Sequence, residues 1–121
     1  MANGLSAYQA NAWLDDLTGS TLYVGLHDDD PGITGANEVS GNGYARQSMA
    51  FAAASGGAAV NTSAETWTAS GGDWGEIGYA SVWDADTAGN CLWTCALPTA
   101  KTITDGESLT VAVGDCTLTL T

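Results

Sequence analysis

Hydrophobic positions in the first twenty residues recur at helical spacing and then change period. Leu5, Tyr8, Ala12, Trp13 and Leu17 fall near a 3.6-residue repeat, Asn3 or Ser6 stands where a cap belongs, and Gly19 where a helix ends. Residues 5–17 therefore predict one helix, with Asp15 and Asp16 opposing its macrodipole. From Thr21 onward the period is two. Residues 21–27 put Leu22, Val24 and Leu26 on one face and run into the turn Asp28-Asp29-Asp30-Pro31-Gly32. A polar, Gly-rich loop follows to Asn42, then alternating positions over 44–51 and a small-residue linker over 52–57. Short strands are predicted at 60–62 and 65–68, and a central strand at 75–83 with Ile77, Tyr79 and Trp83 on one face and Ala80 and Val82 on the other. Strands at 91–97, 102–104, 108–113 and 115–121 complete the chain. Short strands separated by Gly and Asp turns at intervals of roughly 8–12 residues define an all-β chain. The expected architecture is an antiparallel β-sandwich of about eight short strands. Residues 1–20 form a short N-terminal helix or arm, and residues 21–121 a single β-sandwich domain.

Composition changes what this sandwich can bind. Two basic residues, Arg46 and Lys101, face 14 acidic ones for a net charge of −12. Without clustered Lys or Arg, phosphate neutralisation fails, so nucleic acid is excluded as a partner, and anionic membrane surfaces with it. No window of 18 apolar residues spans a membrane, and the N-terminus carries no signal peptide, so synthesis in a host cytoplasm is expected. The 45% hydrophobic share is inflated by alanine; five Trp and four Tyr anchor a core thin in aliphatics. Such a core leaves room for burial against a partner or a second copy.

Candidate chemistry is sparse. His27 with three following aspartates resembles a metal or acid–base site, but a strand ending in an Asp-Pro-Gly turn explains the same residues. The loop 84–90 carries Asp84, Asp86 and Gly89 at the first, third and sixth positions of a calcium loop, yet Cys95 occupies the twelfth, where a bidentate Glu belongs. No metal and no cofactor are expected. Cys91, Cys95 and Cys116 read as free thiols; Cys91 and Cys95 are too far apart along a strand to pair, while either is able to meet Cys116. With one His and no nucleophile elbow, an enzyme is not expected. Trp83 and Trp93 are assigned to the core; Trp67 and Trp74, flanking a Gly-rich break, are assigned to an interface.

Four stretches carry a family resemblance. Residues 21–31 (TLYVGLHDDDP) are followed by 38–47 (EVSGNGYARQ), then by 73–79 (DWGEIGY) and 82–93 (VWDADTAGNCLW). In this order they resemble small tailed-phage virion proteins, labelled tail-fibre-like or capsid decoration proteins, over about residues 5 to 121. The resemblance implies a non-enzymatic virion structural protein with no catalytic residues to carry over. The shape suits a capsid decoration, or cement, protein bound to the major capsid protein or other virion proteins, itself a homo-oligomer. The alternative is a tail-fibre or tail-tip module that recognises host carbohydrate. Contacts are expected from Trp13, Tyr44, Arg46, Trp67 and Trp74, with Arg46 paired to an Asp inside the fold or across an interface.

Overall fold

The computed structural model describes residues 5–120, the Pro98 side chain apart. Helix α1 spans Ala7–Thr18, and the Ser6 hydroxyl caps it by accepting the Gln9 N–H at 3.2 Å. The other candidate cap, Asn3, lies outside the described residues. At the far end the Gly19 N–H reaches the Asp15 carbonyl at 3.0 Å. The buried face is not the predicted stripe. Ala10 and Leu14 are buried with Leu17 packed beside them, whereas Tyr8 and Trp13 are 84% and 55% exposed. Ala10, Leu14 and Leu17 follow the i, i+4, i+7 spacing of a helix face, and Ala10 is small enough to let the helix approach the sheet. Asp15 is placed poorly for the macrodipole, but its carboxylate accepts the Ala54 N–H at 2.7 Å. Asn11 likewise accepts the Gly57 N–H at 2.8 Å, so polar side chains tie the helix to the linker beneath it.

Eight strands follow: β1 (Leu22–His27), β2 (Gln47–Met49), β3 (Ala58–Val60), β4 (Glu65–Thr68), β5 (Gly75–Trp83), β6 (Cys91–Ile103), β7 (Ser108–Val111) and β8 (Thr117–Thr119). They form a four-stranded sheet in the order β2-β1-β5-β6 and two two-stranded sheets, β3-β8 and β4-β7, with every pair antiparallel. Leu22, Val24 and Leu26 with Ala80 and Val82 belong to one core with Trp67, Leu109, Val111 and Leu118 of the smaller sheets. The predicted antiparallel sandwich is the fold that forms.

Two local differences have physical causes. The predicted strands at 91–97 and 102–104 are one strand, β6, interrupted by a bulge. Ile77 pairs with Lys101 and Tyr79 with Ala96, so residues 97–100 face Gly78 alone. Pro98 falls in this stretch, where a residue without an N–H is tolerated. The bulge also breaks the alternation of β5. Ile77 joins Ala80 and Val82 in the core instead of sharing a face with Tyr79 and Trp83. The predicted strand at 44–51 shrinks to β2, because Tyr44 and Arg46 have other partners.

Candidate functional site

The second face of the four-stranded sheet is covered by the loop between β1 and β2. At its centre sits Gly25, where a Cβ would lie 2.6 Å from Glu38 Oε2, 2.9 Å from the Tyr44 hydroxyl and 3.0 Å from Ser81 Oγ. Only glycine admits this approach. Above it, Arg46 donates Nε to Glu38 Oε2 and Nη2 to Oε1, each at 2.8 Å, a bidentate pair that is mostly shielded from solvent. The Tyr44 hydroxyl donates to Glu38 Oε2 at 2.6 Å and accepts the Leu26 N–H at 2.9 Å, a donor left open where β2 stops. The Leu26 carbonyl receives the Val39 N–H at 3.0 Å, so the loop continues the ladder that β2 began.

The Arg46 guanidinium also lies 3.7 Å from the centroid of the Trp83 ring. Its Nη1 donates to the carbonyls of Ala85 and Ala88 at 3.0 and 2.7 Å, fastening the β5–β6 loop. That loop is closed a second time by Asp84, whose two oxygens accept from Asn90 N and Nδ2 at 2.7 and 2.9 Å. Trp74 completes the enclosure. Its ring meets Tyr44 edge-on at 5.6 Å, and its Nε1 donates to the Asn42 carbonyl at 3.1 Å.

Deeper in the same face, His27 Nδ1 lies 2.7 Å from the Ala36 carbonyl and Nε2 lies 2.6 Å from Ser81 Oγ. A carbonyl only accepts, so Nδ1 carries the proton and Nε2 accepts from the Ser81 hydroxyl. Ser81 Oγ in turn accepts the Trp83 Nε1–H at 2.6 Å. A Ser–His hydrogen bond is the beginning of a nucleophilic site. Here His27 and Ser81 are both 0% exposed, and a carbonyl stands where an orienting carboxylate would. The arrangement holds the sheet to its cover and leaves the hydroxyl out of a substrate's reach.

The electrostatics agree with closure. Burial lowers the His27 pKa below its ordinary value and keeps the ring neutral. Burial alone would raise the Glu38 carboxyl, but hydrogen bonds from Arg46 and Tyr44 outweigh it and hold the group below its usual range. Burial, then the Glu38 carboxylate, pushes the Tyr44 phenol far up. Hydrogen bonding to Glu38 raises Arg46. Among the described residues no three His, Cys, Asp or Glu side chains are grouped to hold a metal. In the Asp28–Asp30 turn, Asp29 and Asp30 accept the N–H groups of Asp30 and Gly32 at 2.8 and 2.9 Å. His27 points away from them, into the sheet.

The five residues assigned to an interface separate into three groups. Trp13 is on the surface of α1. Tyr44 and Arg46 meet in the cluster just described, and the partner of Arg46 is Glu38, not an aspartate. Trp67 and Trp74 are core residues, at 1% and 6% exposure, which corrects their assignment to a surface. With so few large aliphatics in the chain, indoles fill the space between the sheets, and Trp67 does so with its Nε1–H unpartnered. Trp83 is buried as expected, and Trp93 is partly buried against the core. Cys91, Cys95 and Cys116 are free thiols. A hydrogen bond with Cys116 lowers Cys95 and raises Cys116, so these two face one another. The roles of Gly25, Glu38, Ser81 and His27 escaped sequence reasoning, although two of the shared stretches, 21–31 and 38–47, contain three of the four.

A family model described as Podophage GP4 fiber I protein gp80 matches residues 4–119. No curated protein matches the chain.

Proposed function

The chain belongs to the podophage GP4 fiber I protein gp80 family, and from that premise we propose that it is a non-catalytic, fibre-associated unit of a phage virion that grips a neighbour through the outer face of α1. Membership makes it a phage structural protein that associates with other virion components. The observation that carries the finer reading is the exposure of Tyr8 and Trp13 on one short helix that Ala10, Leu14, Asn11 and Asp15 hold against the rest of the fold. Aromatic side chains of this size are typical anchors of protein interfaces. Among the described residues, the one cluster with the makings of catalysis is buried, which favours a structural role. Carbohydrate recognition by a tryptophan platform is disfavoured, since Trp67 and Trp74 are internal.

A capsid decoration role is the second reading. The sandwich of residues 5–120 contains no coiled coil or repeat, which suits a compact unit seated on a shell, with the major capsid protein as partner and copies of this chain around it. The test is incorporation of a Tyr8→Ser/Trp13→Ser variant into virions. The variant is expected to fold and to be missing from the particle; particles carrying it at wild-type occupancy would overturn the helix as the contact. Copy number in a virion reconstruction separates the two locations, with hundreds of copies assigning the shell and a small multiple the fibre.

A further inference from the structure

The two halves of the sandwich meet along two seams where neighbouring strands run side by side without a ladder. At one, β2 faces β4; at the other, β6 faces β7. The pairing of β4 with β7 shows which backbone groups face these seams. The Ala69 N–H donates to the Glu107 carbonyl at 2.9 Å, which makes that pair hydrogen-bonded. By alternation, Trp67–Leu109 and Glu65–Val111 are bonded pairs, while Thr68–Ser108 and Thr66–Thr110 are not. The close hydroxyl contacts Thr66–Thr110 at 2.8 Å and Thr68–Ser108 at 2.7 Å fit non-bonded pairs. The N–H and C=O groups of Ser108 and Thr110 therefore point away from β4, into the seam with β6.

Each seam is bridged by one long side chain donating to a strand carbonyl. Gln47 Nε2 donates to the Thr66 carbonyl across the first, and Lys101 Nζ donates to the Ser108 carbonyl at 2.6 Å across the second. The first seam is then closed further along, where the Thr62 N–H meets the Ala50 carbonyl at 2.9 Å and the Ala52 N–H meets the Val60 carbonyl at 2.8 Å. The second stays open beyond the turn at 104–107. The bulge at 97–100 draws β6 off its line, leaving a cleft of about 450 Å³ lined by Leu97, Ala100, Lys101, Ser108, Thr110 and Asp115 among others.

We propose that this cleft accepts an extended strand from another virion protein, bearing basic or uncharged side chains, which pairs with the free edge of β7. The proposal rests on the virion-structural reading above and adds the chemistry of a partner at a second surface. An open strand edge is a template for main-chain pairing, which selects an extended polypeptide over a small ligand. The charge selects its sign. The chain carries −12, and its two cations are both engaged, Arg46 with Glu38 and Lys101 with Ser108. An acidic segment is repelled and a basic one attracted. On entry, the strand's N–H replaces the Lys101 ammonium on the Ser108 carbonyl, and its C=O takes the Thr110 N–H.

The test uses the whole chain and two end-capped octapeptides, one alternating Lys or Thr with Val and one with Glu in place of Lys. Binding is read by fluorescence anisotropy and by amide shifts in NMR. The Lys peptide is expected to bind at least tenfold tighter than the Glu peptide, with shifts centred on residues 108–111. Thr110→Pro removes the outward N–H without touching the β4 ladder and is expected to weaken binding at least tenfold; Lys101→Ala is expected to tighten it several-fold. Ala100→Trp, at an exposed position, fills the cleft from β6 and serves if the proline variant does not fold. Absence of Lys-peptide binding overturns the proposal, as does binding that survives Thr110→Pro or Ala100→Trp. Self-association of the wild-type chain in sedimentation, abolished by the same substitutions, would overturn it in favour of a second copy. Peptide binding is independent of Tyr8 and Trp13, so failure here is distinguishable from failure of the helix contact.

Discussion

The covered face of the four-stranded sheet and the outer face of α1 use polar and aromatic residues in opposite ways. Over the sheet, the only His and the only Arg of the chain are turned inward, His27 onto Ser81 and the Ala36 carbonyl, and Arg46 onto Glu38, Trp83 and the carbonyls of Ala85 and Ala88. On α1, Tyr8 and Trp13 are turned outward and left mostly uncovered by the described residues, while polar Asn11 and Asp15 hold the helix down. The first region is self-sufficient and the second is incomplete. A protein whose cohesion is concentrated in one place is free to expose anchors in another.

The sharpest way to break that contrast is Arg46→Ala. It leaves the mostly shielded Glu38 carboxylate without its counter-charge, releases the Ala85 and Ala88 carbonyls and uncovers Trp83. Loss of one partner from a shielded pair costs about 3 kcal/mol or more. Urea unfolding is expected to register that loss, and Arg46→Lys, which lacks the planar fork, is expected to recover little of it. A change below about 1 kcal/mol would mean that the cluster does not close the sheet.

Gly25→Ala probes the same region from below. The new methyl falls within 3.0 Å of Glu38, Tyr44 and Ser81, so either the carboxylate or the strand must shift. Overpacking of this kind costs about 2 kcal/mol. Combined with Arg46→Ala the effect should be less than additive, because a displaced Glu38 has already lost its partner.

Acid is a milder probe with a definite sign. The unfolded His27 titrates near 6.5, and burial lowers the folded value. As pH falls below 6.5 the unfolded chain takes a proton that the folded one refuses, so stability declines at up to about 1.4 kcal/mol per pH unit until the folded value is reached. Glu38 adds a second decline below 4.5, because its paired carboxylate keeps its charge to lower pH than in the unfolded chain. A stability–pH curve of His27→Gln is expected to lose the upper decline and keep the lower. An unchanged upper decline would assign it elsewhere.

How much of this was legible depended on whether a residue's role was local. The boundaries of β5 follow from the alternation over 75–83, and the turn at Asp28–Asp30 from its Asp and Pro. The antiparallel sandwich follows from strand spacing. Trp67 and Trp74 were misread because a Gly-rich flank says nothing about which sheet faces which, and burial is decided by that packing. The β6 bulge was hidden because Pro98 reads as the end of a strand, and only Gly78 placed opposite residues 97–100 joins the two pieces into one. The cluster was half legible. The order Glu38, Tyr44, Arg46 stood out, but its targets Gly25, Ser81 and Trp83 are brought there by strand register, which no local pattern contains.

The smallest effect on stability is expected at α1, and it is the most informative about the contrast. Tyr8→Ser and Trp13→Ser alter side chains that are mainly in solvent, so each is expected to stay within about 0.5 kcal/mol of wild type. Leu14→Ala, next to Trp13 on the same helix but on its buried face, removes core contacts and is expected to cost about 3 kcal/mol. If Trp13→Ser instead costs as much as Leu14→Ala, the indole belongs to the core in solution and the helix has no free anchor to offer. If the two separate as expected, the aromatic pair contributes little to holding this chain together. Its apolar surface is then available for contact with a neighbour.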